Sequence, residues 1–591
     1  MKKFIETYFE HLCIVALTFL LVYPALFVKG TLIGEGVDLY GTIWFYEWIY
    51  DSIHNGTDPS HTTLFFHPFG KDIFGHTGNN FIDALMAAPF IAIFGFPRYQ
   101  PIFYACLILL NGFAFRALGH QLFQTTPARL GSTLLFMLSP YCLGELILGR
   151  PTQCFMAFTV LSIYYFLKMN RDGGYKYAIL SGVFAALQGW TYWFGGYFLG
   201  FALIWIVIAE WRTERIKEYC ASLSSCIALI APALVSMLMK ARSGEVPGLA
   251  NAKEAFWSIP VPQPNNVFMK LAGYQITEPA GMKFFWHYSI AIPLLFAIFR
   301  SKRRKLWLGL LLVSLAIATG PVFFWGQQEY PMFHYILMYR ILPFFSRLWF
   351  PYRMISIALL AGIIGIGFWL DQQKKYVWPM VITIVGLNLW EQSDLYKVPL
   401  LNQKWDYPKM YEEMAPYDGA IIELPIGYVR ESILWQAVHK RPTFGGMGEN
   451  LSLFHTPEHK ARLKKPLYRY LRKIVFFPHR DFEPPSLDLA LREGFRFVVL
   501  DRRIVSGIYM RNGHKNTEER LEQLIQRLND LFGQPWLEED AYLVWNIGKS
   551  LPNSTRLPVT GAKWEKQLPS KLEQRLLDLN RLLFKEKRGD L

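Results

Sequence analysis

The run LCIVALTFLLVYPALFV at 12–28 carries no charged residue, and its reading decides the fold. A helix that crosses a bilayer needs about 20 predominantly apolar residues, with roughly 17 as the lower end. The same kind of segment recurs along the chain: PIFYACLILLNGFAF at 101–115, GYFLGFALIWIVIA at 196–209, and 286–299, 306–320, 353–370 and 376–390. Several reach crossing length only with their flanking residues. A soluble protein with buried helices is the competing reading. Ten or more such segments in succession favour a polytopic membrane domain instead. Composition agrees: 52% of the 591 residues are hydrophobic and only 18% charged, whereas soluble domains carry about 25% charge.

The formal net charge is +15, which in another setting would suggest nucleic acid. Here the cations collect in short connections: Lys2/Lys3, Lys168/Arg171/Lys176, Arg212/Arg215/Lys217, RSKRRK at 300–305, and Lys374/Lys375. That is the distribution of loops retained on the cytoplasmic face, so no nucleic-acid partner is expected. The six cysteines lie at 13, 106, 142, 154, 220 and 226. Most fall in or beside apolar helices, where the thiol behaves as a small hydrophobe. The last third has none, so no intrachain disulfide staples it. The MKK start and first apolar run resemble a signal peptide. No small-residue cleavage site follows PALFVKG, so an uncleaved first helix is expected.

Placing the basic loops inside predicts about eleven crossings within a transmembrane domain, 1–394. Segment 82–97 (IDALMAAPFIAIFGFP) is short and broken by Pro89, Gly95 and Pro97. It is expected to re-enter or lie at the interface, where buried protein can satisfy its backbone. Three outer-face loops are long, at 30–80, 241–285 and 321–352, and their aromatic content suggests folded caps. Loops of this length are commonly functional.

From 395 to 591 the composition shifts to that of a water-soluble domain, expected on the outer face. The apolar runs GAIIELP (419–425), FRFVVLD (495–501) and AYLVWNIG (541–548) predict buried strands. Helical patterns fall at 457–474, 486–494 and 516–532, the last with Asn516 as N-cap and Gly533 as stop. The alternation predicts a small α/β layer. A basic amphipathic helix near 562–587 is more simply a solvated surface helix than a membrane anchor.

Residues that could carry chemistry gather in the outer loops. GEGVDLYGTIWFYEWIYDSI at 34–53 puts Glu35 and Asp38 just beyond the first helix, and HPFGKDIFGHTGNN follows at 67–80. Ionisable groups at a membrane edge are costly and often mark function, although a solvated loop residue is the commoner case for any one of them. Among crossing helices Glu145 is a rare interior charge. Glu278 and His287 are placed on the same outer side, with no role assigned. Asp72, His67 and His76 have no metal spacing, no Cys/His cluster suits zinc, and no cofactor is expected; dependence on a divalent metal is left open. The sequons at Asn55, Asn450 and Asn553 decide nothing.

The order of several motifs resembles the C-class (GT-C) membrane glycosyltransferases and, among them, the YfhO-like membrane proteins. These motifs are VDLYGTIWFYEWI (37–49), HPFG (67–70), LMAAPFIAIFGFP (85–97), MLSPYCLGELILGRPTQ (137–153) and LPFFSRLWFPYRM (342–354). GAIIELP with WQAVHKRPTFGG (435–446) is similar to the outer domain of that group. The resemblance implies transfer of a sugar from a polyprenyl-phosphate-linked donor to a glycan, lipid or protein acceptor of the cell envelope. It implies a multi-pass protein of the cell (inner) membrane whose C-terminal domain is extracytoplasmic. Asp38 would be the catalytic base, since a carboxylate in reach of a hydroxyl can take its proton in the transition state. Arg347 and Arg353 would hold the donor phosphate, and Arg150 is a third candidate, because the guanidinium fork suits phosphate. Headgroup contact is the alternative for each arginine. Trp44, Trp349 and Tyr352 could stack on a sugar, with an interfacial aromatic belt as the alternative.

Two other functions compete: a transporter or flippase of a lipid-linked substrate, and a non-catalytic envelope-assembly protein. No internal repeat with paired broken helices favours the transporter. Neither rival needs the chemistry of Asp38.

Overall fold

The computed structural model describes residues 2–73, 81–243, 276–277, 283–284, 287–300, 304–318, 320, 322–325, 328–342, 345, 351–396, 399–400, 402–405, 407–428, 431–446, 455–512, 516–548 and 555–556. The chain divides into two compact units. One comprises Met1–Thr42, Thr77–Leu238 and Leu249–Trp405; the other comprises Ile43–His76, Met239–Gly248 and Asp406–Leu591. The boundary at 42/43 falls inside the helix Val37–Asn55, so the loop expected at 30–80 contributes to both.

The first unit is helical. Five helices among the described residues are long and apolar enough to cross a membrane: Tyr8–Phe27, Tyr99–Leu122, Thr126–Ile147, Thr213–Ser236 and Pro351–Asp371. Phe81–Phe94, Trp193–Ala209, Tyr288–Ile298 and Lys305–Ala318 are apolar but shorter. The sequence expectation was eleven crossings. Proline accounts for one discrepancy in regularity, since the helix expected over 130–148 is broken into Thr126–Met137 and Pro140–Ile147. Pro140 has no N–H to continue the ladder. Phe81–Phe94 has 14 residues and rises only about 21 Å, short of a hydrocarbon core of about 30 Å.

Burial separates the helices into centre and rim. Ile355–Asp371 is buried along nearly its whole length and packs against Arg304–Ala318, Thr126–Met137 and Tyr288–Arg300. Its sequence, ISIALLAGIIGIGFWLD, mixes small and branched residues that let neighbouring backbones approach. Thr213–Ser236 is apolar yet mostly uncovered, as a helix facing lipid should be. A short strand, Thr31–Ile33, pairs antiparallel with Asn402–Lys404. Gln100 fixes that strand by bonding both the N–H and the carbonyl of Ile33, at 3.0 and 2.9 Å.

The second unit is built on a five-stranded sheet in the order Thr555–Arg556, Leu537–Glu539, Tyr542–Asn546, Phe495–Asp501, Ala420–Leu424. Phe495–Asp501 runs parallel to Ala420–Leu424 and antiparallel to Tyr542–Asn546. Strand residues alternate between faces, and the apolar ones divide accordingly. Ile422, Val498, Leu500, Leu543 and Trp545 pack under the helices Pro466–Phe476 and Thr517–Phe532. Ile421, Phe497, Val499 and Val544 meet Met410, Met414 and Trp435 on the other face. The helical pattern read at 457–474 is two helices, Pro457–Arg462 and Pro466–Phe476, separated at Pro466. Gly533, at φ +84°, ends Thr517–Phe532, while the Asn516 side chain donates to the Glu519 carboxylate at 2.9 Å and makes no backbone cap. Residues 562–587 lie outside the described residues.

Residues 64–67 run beside 443–445 within this unit: Thr443 N–H donates to the Leu64 carbonyl, Phe66 N–H to Gly445 and His67 N–H to Thr443, at 2.8, 2.8 and 3.0 Å. Arg462, fully buried, fixes the same junction. It donates to the carbonyls of His67 and Phe444 and lies 3.9 Å from the Phe444 ring centre and 5.2 Å from that of Phe69.

Candidate active site

Two glycines bring the site together in the first unit. Gly34 (φ +94°) and Gly149 (φ +70°) adopt left-handed conformations in which a side chain is strained. The added atom at Gly34 would lie 2.6 Å from the Leu146 carbonyl oxygen. With only hydrogen there, Glu35 N–H donates to the Ile147 carbonyl at 2.7 Å, and the Thr42 hydroxyl donates to the Gly149 carbonyl at 3.1 Å. The GEGVD turn is thereby laced to the LILGR turn. Asp38, in the first turn of Val37–Asn55, also sits where a helix dipole favours negative charge.

The charged side chains then form an alternating series. Arg150 Nε donates to Asp38 Oδ2 at 2.6 Å, and its Nη1 lies 3.3 Å from Glu145 Oε2. The other Glu145 oxygen, Oε1, is 3.9 Å from Arg353 Nε. Arg353 Nη1 donates to the Tyr192 hydroxyl at 2.6 Å and its Nε to that of Tyr352 at 3.1 Å. The Asp38 side chain is 48% exposed, Arg150 10%, Arg353 5% and Glu145 0%. One carboxylate therefore faces solvent, and two guanidinium groups lead inward from it around a buried carboxylate. Buried charges persist when paired and hydrogen-bonded, and two acids against two arginines leave the series neutral.

Of the residues singled out in the sequence, the fold joins Asp38, Arg150, Arg353 and Tyr352. Arg347, Trp349, Glu278 and His76 lie outside the described residues. Trp44 is 1% exposed and stacks 4.1 Å from Phe65 in the second unit, which leaves no face for a sugar. His287 is buried with Nδ1 3.3 Å from Glu391, whose carboxylate accepts from the N–H groups of Tyr288 and Ser289 and so caps the helix Tyr288–Arg300. His67 bonds the Glu493 carbonyl at 2.8 Å within the second unit. Among the described residues no group of three or more His, Cys, Asp or Glu is placed to hold a metal ion. Sequence reasoning gave no role to Glu145 or Tyr192. The signal for Glu145 was its position as the sole charge in LGSTLLFMLSPYCLGELIL, 130–148. Tyr192 carried none.

The arabinofuranosyltransferase AftD from Mycobacteria superposes over 92% of this chain and 40% of its own, with a TM-score of 0.55 and 14% identity. A second AftD structure gives a TM-score of 0.56. This is the GT-C fold. The chain spans about two fifths of the length of AftD. Weaker overlaps occur with ArnT from Cupriavidus metallidurans, at a TM-score of 0.39, 10% identity, and coverage of 90% of this chain and 97% of that one. The oligosaccharyltransferase AglB from Archaeoglobus fulgidus overlaps at a TM-score of 0.42, 11% identity, and coverage of 84% and 70%. No protein-family model and no curated protein matches the sequence. With its candidate spans, the chain is a membrane protein.

Proposed function

We propose that the chain is a membrane glycosyltransferase that moves a sugar from a polyprenyl-phosphate-linked donor to an envelope acceptor on the outer face. The observation that carries this reading is the Asp38–Arg150–Glu145–Arg353 series, with an accessible carboxylate at one end. Its setting in a fold that also serves a sugar transferase supports the class of reaction. Asp38 takes the proton of the acceptor hydroxyl as its oxygen attacks the anomeric carbon. The bond from that carbon to phosphate oxygen breaks, and the lipid phosphate leaves with the electron pair. Arg150 and Arg353 stabilise the developing charge. A donor phosphate that engages Arg150 loosens its hold on Asp38 Oδ2, so donor binding frees the base. Arg347 is assigned to the same phosphate, and Trp349 and Tyr352 to the sugar. In this reading the chain crosses the inner membrane about eleven times and its C-terminal α/β domain is extracytoplasmic.

Asp38→Asn keeps the shape and removes the proton acceptor. Sugar transfer should fall about 10²–10⁴-fold, with insertion and donor binding retained. The readout is mass spectrometry of lipid-linked sugars and envelope glycans in a deletion strain carrying the variant. Full restoration of the wild-type glycans by Asp38→Asn would overturn the assignment in favour of a non-catalytic assembly role.

A further inference from the structure

The helix Pro466–Phe476 buries Leu467, Leu471, Ile474 and Val475 against the sheet. Its opposite face is unusual. Arg469 and Arg472 are exposed and Lys473 is partly so. At 100° per residue these three fall within about 100° of one another around the helix. Lys460 and Lys464 precede them in the neighbouring helix and turn, and Arg480 follows, all exposed. From 457 to 480 the only acidic residue is Glu458. Like charges at i,i+3 and i,i+4 repel on a helix surface, a repulsion that an anionic surface relieves; Lys473 also lies 5.6 Å from the Phe482 ring centre. Phe477, at the helix end, is 41% exposed, and the Arg480 guanidinium lies 4.7 Å from its ring centre.

We propose that this face binds the anionic headgroups of the bilayer in which the chain is anchored. The second unit is covalently continuous with the helical first unit, at 42/43 inside the helix Val37–Asn55 and again at 405/406. It therefore meets the bilayer surface at the high effective concentration a short tether gives. Each Lys or Arg near an anionic leaflet strengthens that attraction roughly fivefold. Phe477 adds the apolar element: an aromatic ring beside cations suits the headgroup boundary. The contact does not depend on the catalytic reading, since none of its residues belongs to the Asp38 series.

The test uses the full chain in nanodiscs of phosphatidylcholine alone or with phosphatidylglycerol added, read by hydroxyl-radical footprinting of Phe477. Oxidation of Phe477 should fall several-fold in the anionic discs, return at high salt, and return in Arg469→Glu/Arg472→Glu/Lys473→Glu. Buried Trp545 (0% exposed) reports folding, staying unreactive throughout. If the triple variant unmasks Trp545, Arg469→Gln/Lys473→Gln replaces it, with the wild-type salt titration deciding alongside. Equal Phe477 oxidation in both lipids overturns the proposal. So does protection that appears in phosphatidylcholine discs on adding heparin yet not with phosphatidylglycerol, which would assign the face to a soluble polyanion.

Discussion

Gly149 and Leu39 meet backbone to backbone: a methyl group on Gly149 would lie 2.2 Å from Leu39 Cβ and 2.3 Å from its Cα. Each is the chain neighbour of a charged partner, Arg150 on one side and Asp38 on the other, so the 2.6 Å bond between those two rests on this approach. Gly149→Ala adds left-handed strain of roughly 1–2 kcal/mol and a clash that displaces backbone, about 1–3 kcal/mol more. A shift of about 1 Å in the site costs on the order of 10²-fold in rate. Gly149→Ala should therefore lose sugar transfer nearly as completely as Asp38→Asn while still inserting, with a lowered thermal midpoint in detergent. Unchanged activity would show that the Asp38–Arg150 spacing is not needed.

Glu145 stands between two arginines, 3.3 Å from one and 3.9 Å from the other. Glu145→Gln leaves two buried cations facing a neutral group, and breaking such a pair typically costs about 3–5 kcal/mol. The double variant Glu145→Gln/Arg353→Gln removes one of those cations and should regain part of the loss. A coupling of about 0.5–3 kcal/mol in a double-mutant cycle is the expected result. Thermal inactivation of the purified protein measures it, and strict additivity would remove the interaction.

In the second unit, Arg462→Met deprives the His67 and Phe444 carbonyls of their donor. Each buried acceptor left without a partner costs about 1–3 kcal/mol. Arg462→Lys keeps the charge but not the fork, and should recover only part. Limited proteolysis within 43–76 reports the change: cleavage should rise steeply in Arg462→Met and moderately in Arg462→Lys. Equal protection in all three proteins would mean the junction is held by its backbone bonds alone.

His459 is fully buried beside Arg462, whose Nη2 lies 2.8 Å from its Nδ1. Burial first, then Arg462 and neighbouring cations, hold its pKa far below the ordinary 6.5. A depressed folded pKa means stability that is present above the unfolded value and lost as pH falls below it. Between pH 6.5 and pH 5 that is roughly 2 kcal/mol, at 1.36 kcal/mol per unit. Unfolding of the second unit should become easier from pH 7 to pH 5, and His459→Gln should flatten the dependence. Burial also raises Glu47 to about 7, which acts oppositely: its stabilising effect is present below 4.5 and lost as pH rises to about 7. Glu47→Gln should therefore steepen the acid sensitivity. A wild-type stability that rises on acidification would mean that Glu47 outweighs the histidine.

What could be read from the chain without its fold was whatever announces itself locally. Uncharged runs fixed the helical membrane unit, and the strand-length runs at 419–425, 495–501 and 541–548 marked where Ala420–Leu424, Phe495–Asp501 and Tyr542–Asn546 form. Asp38, Arg150 and Arg353 stood out as charges beside apolar helices. Their mutual distances did not, because 38, 145–150 and 353 come from three separate segments that meet through two glycines and a proline break. The role of Glu145 followed only from having a cation on each side. Arg462 is the clearest case of the converse. HKARLKK at 459–465 looks like uniformly solvated basic sequence, and one of its cations is buried because a loop from the far end of the chain closes over it.

That closure sets a timetable for biosynthesis. Residues 43–76 emerge with the first helix, while Phe444 and Arg462, to which they bind, are translated only after every residue from 77 to 405. At roughly 5–20 residues per second the wait is on the order of tens of seconds. Throughout it Trp44, Phe65 and Phe66, each at most 2% exposed in the finished unit, have no partner surface from the last third. A newly made chain thus carries an unfinished aromatic segment through the whole of its membrane insertion, a period in which a holding chaperone would have something specific to hold.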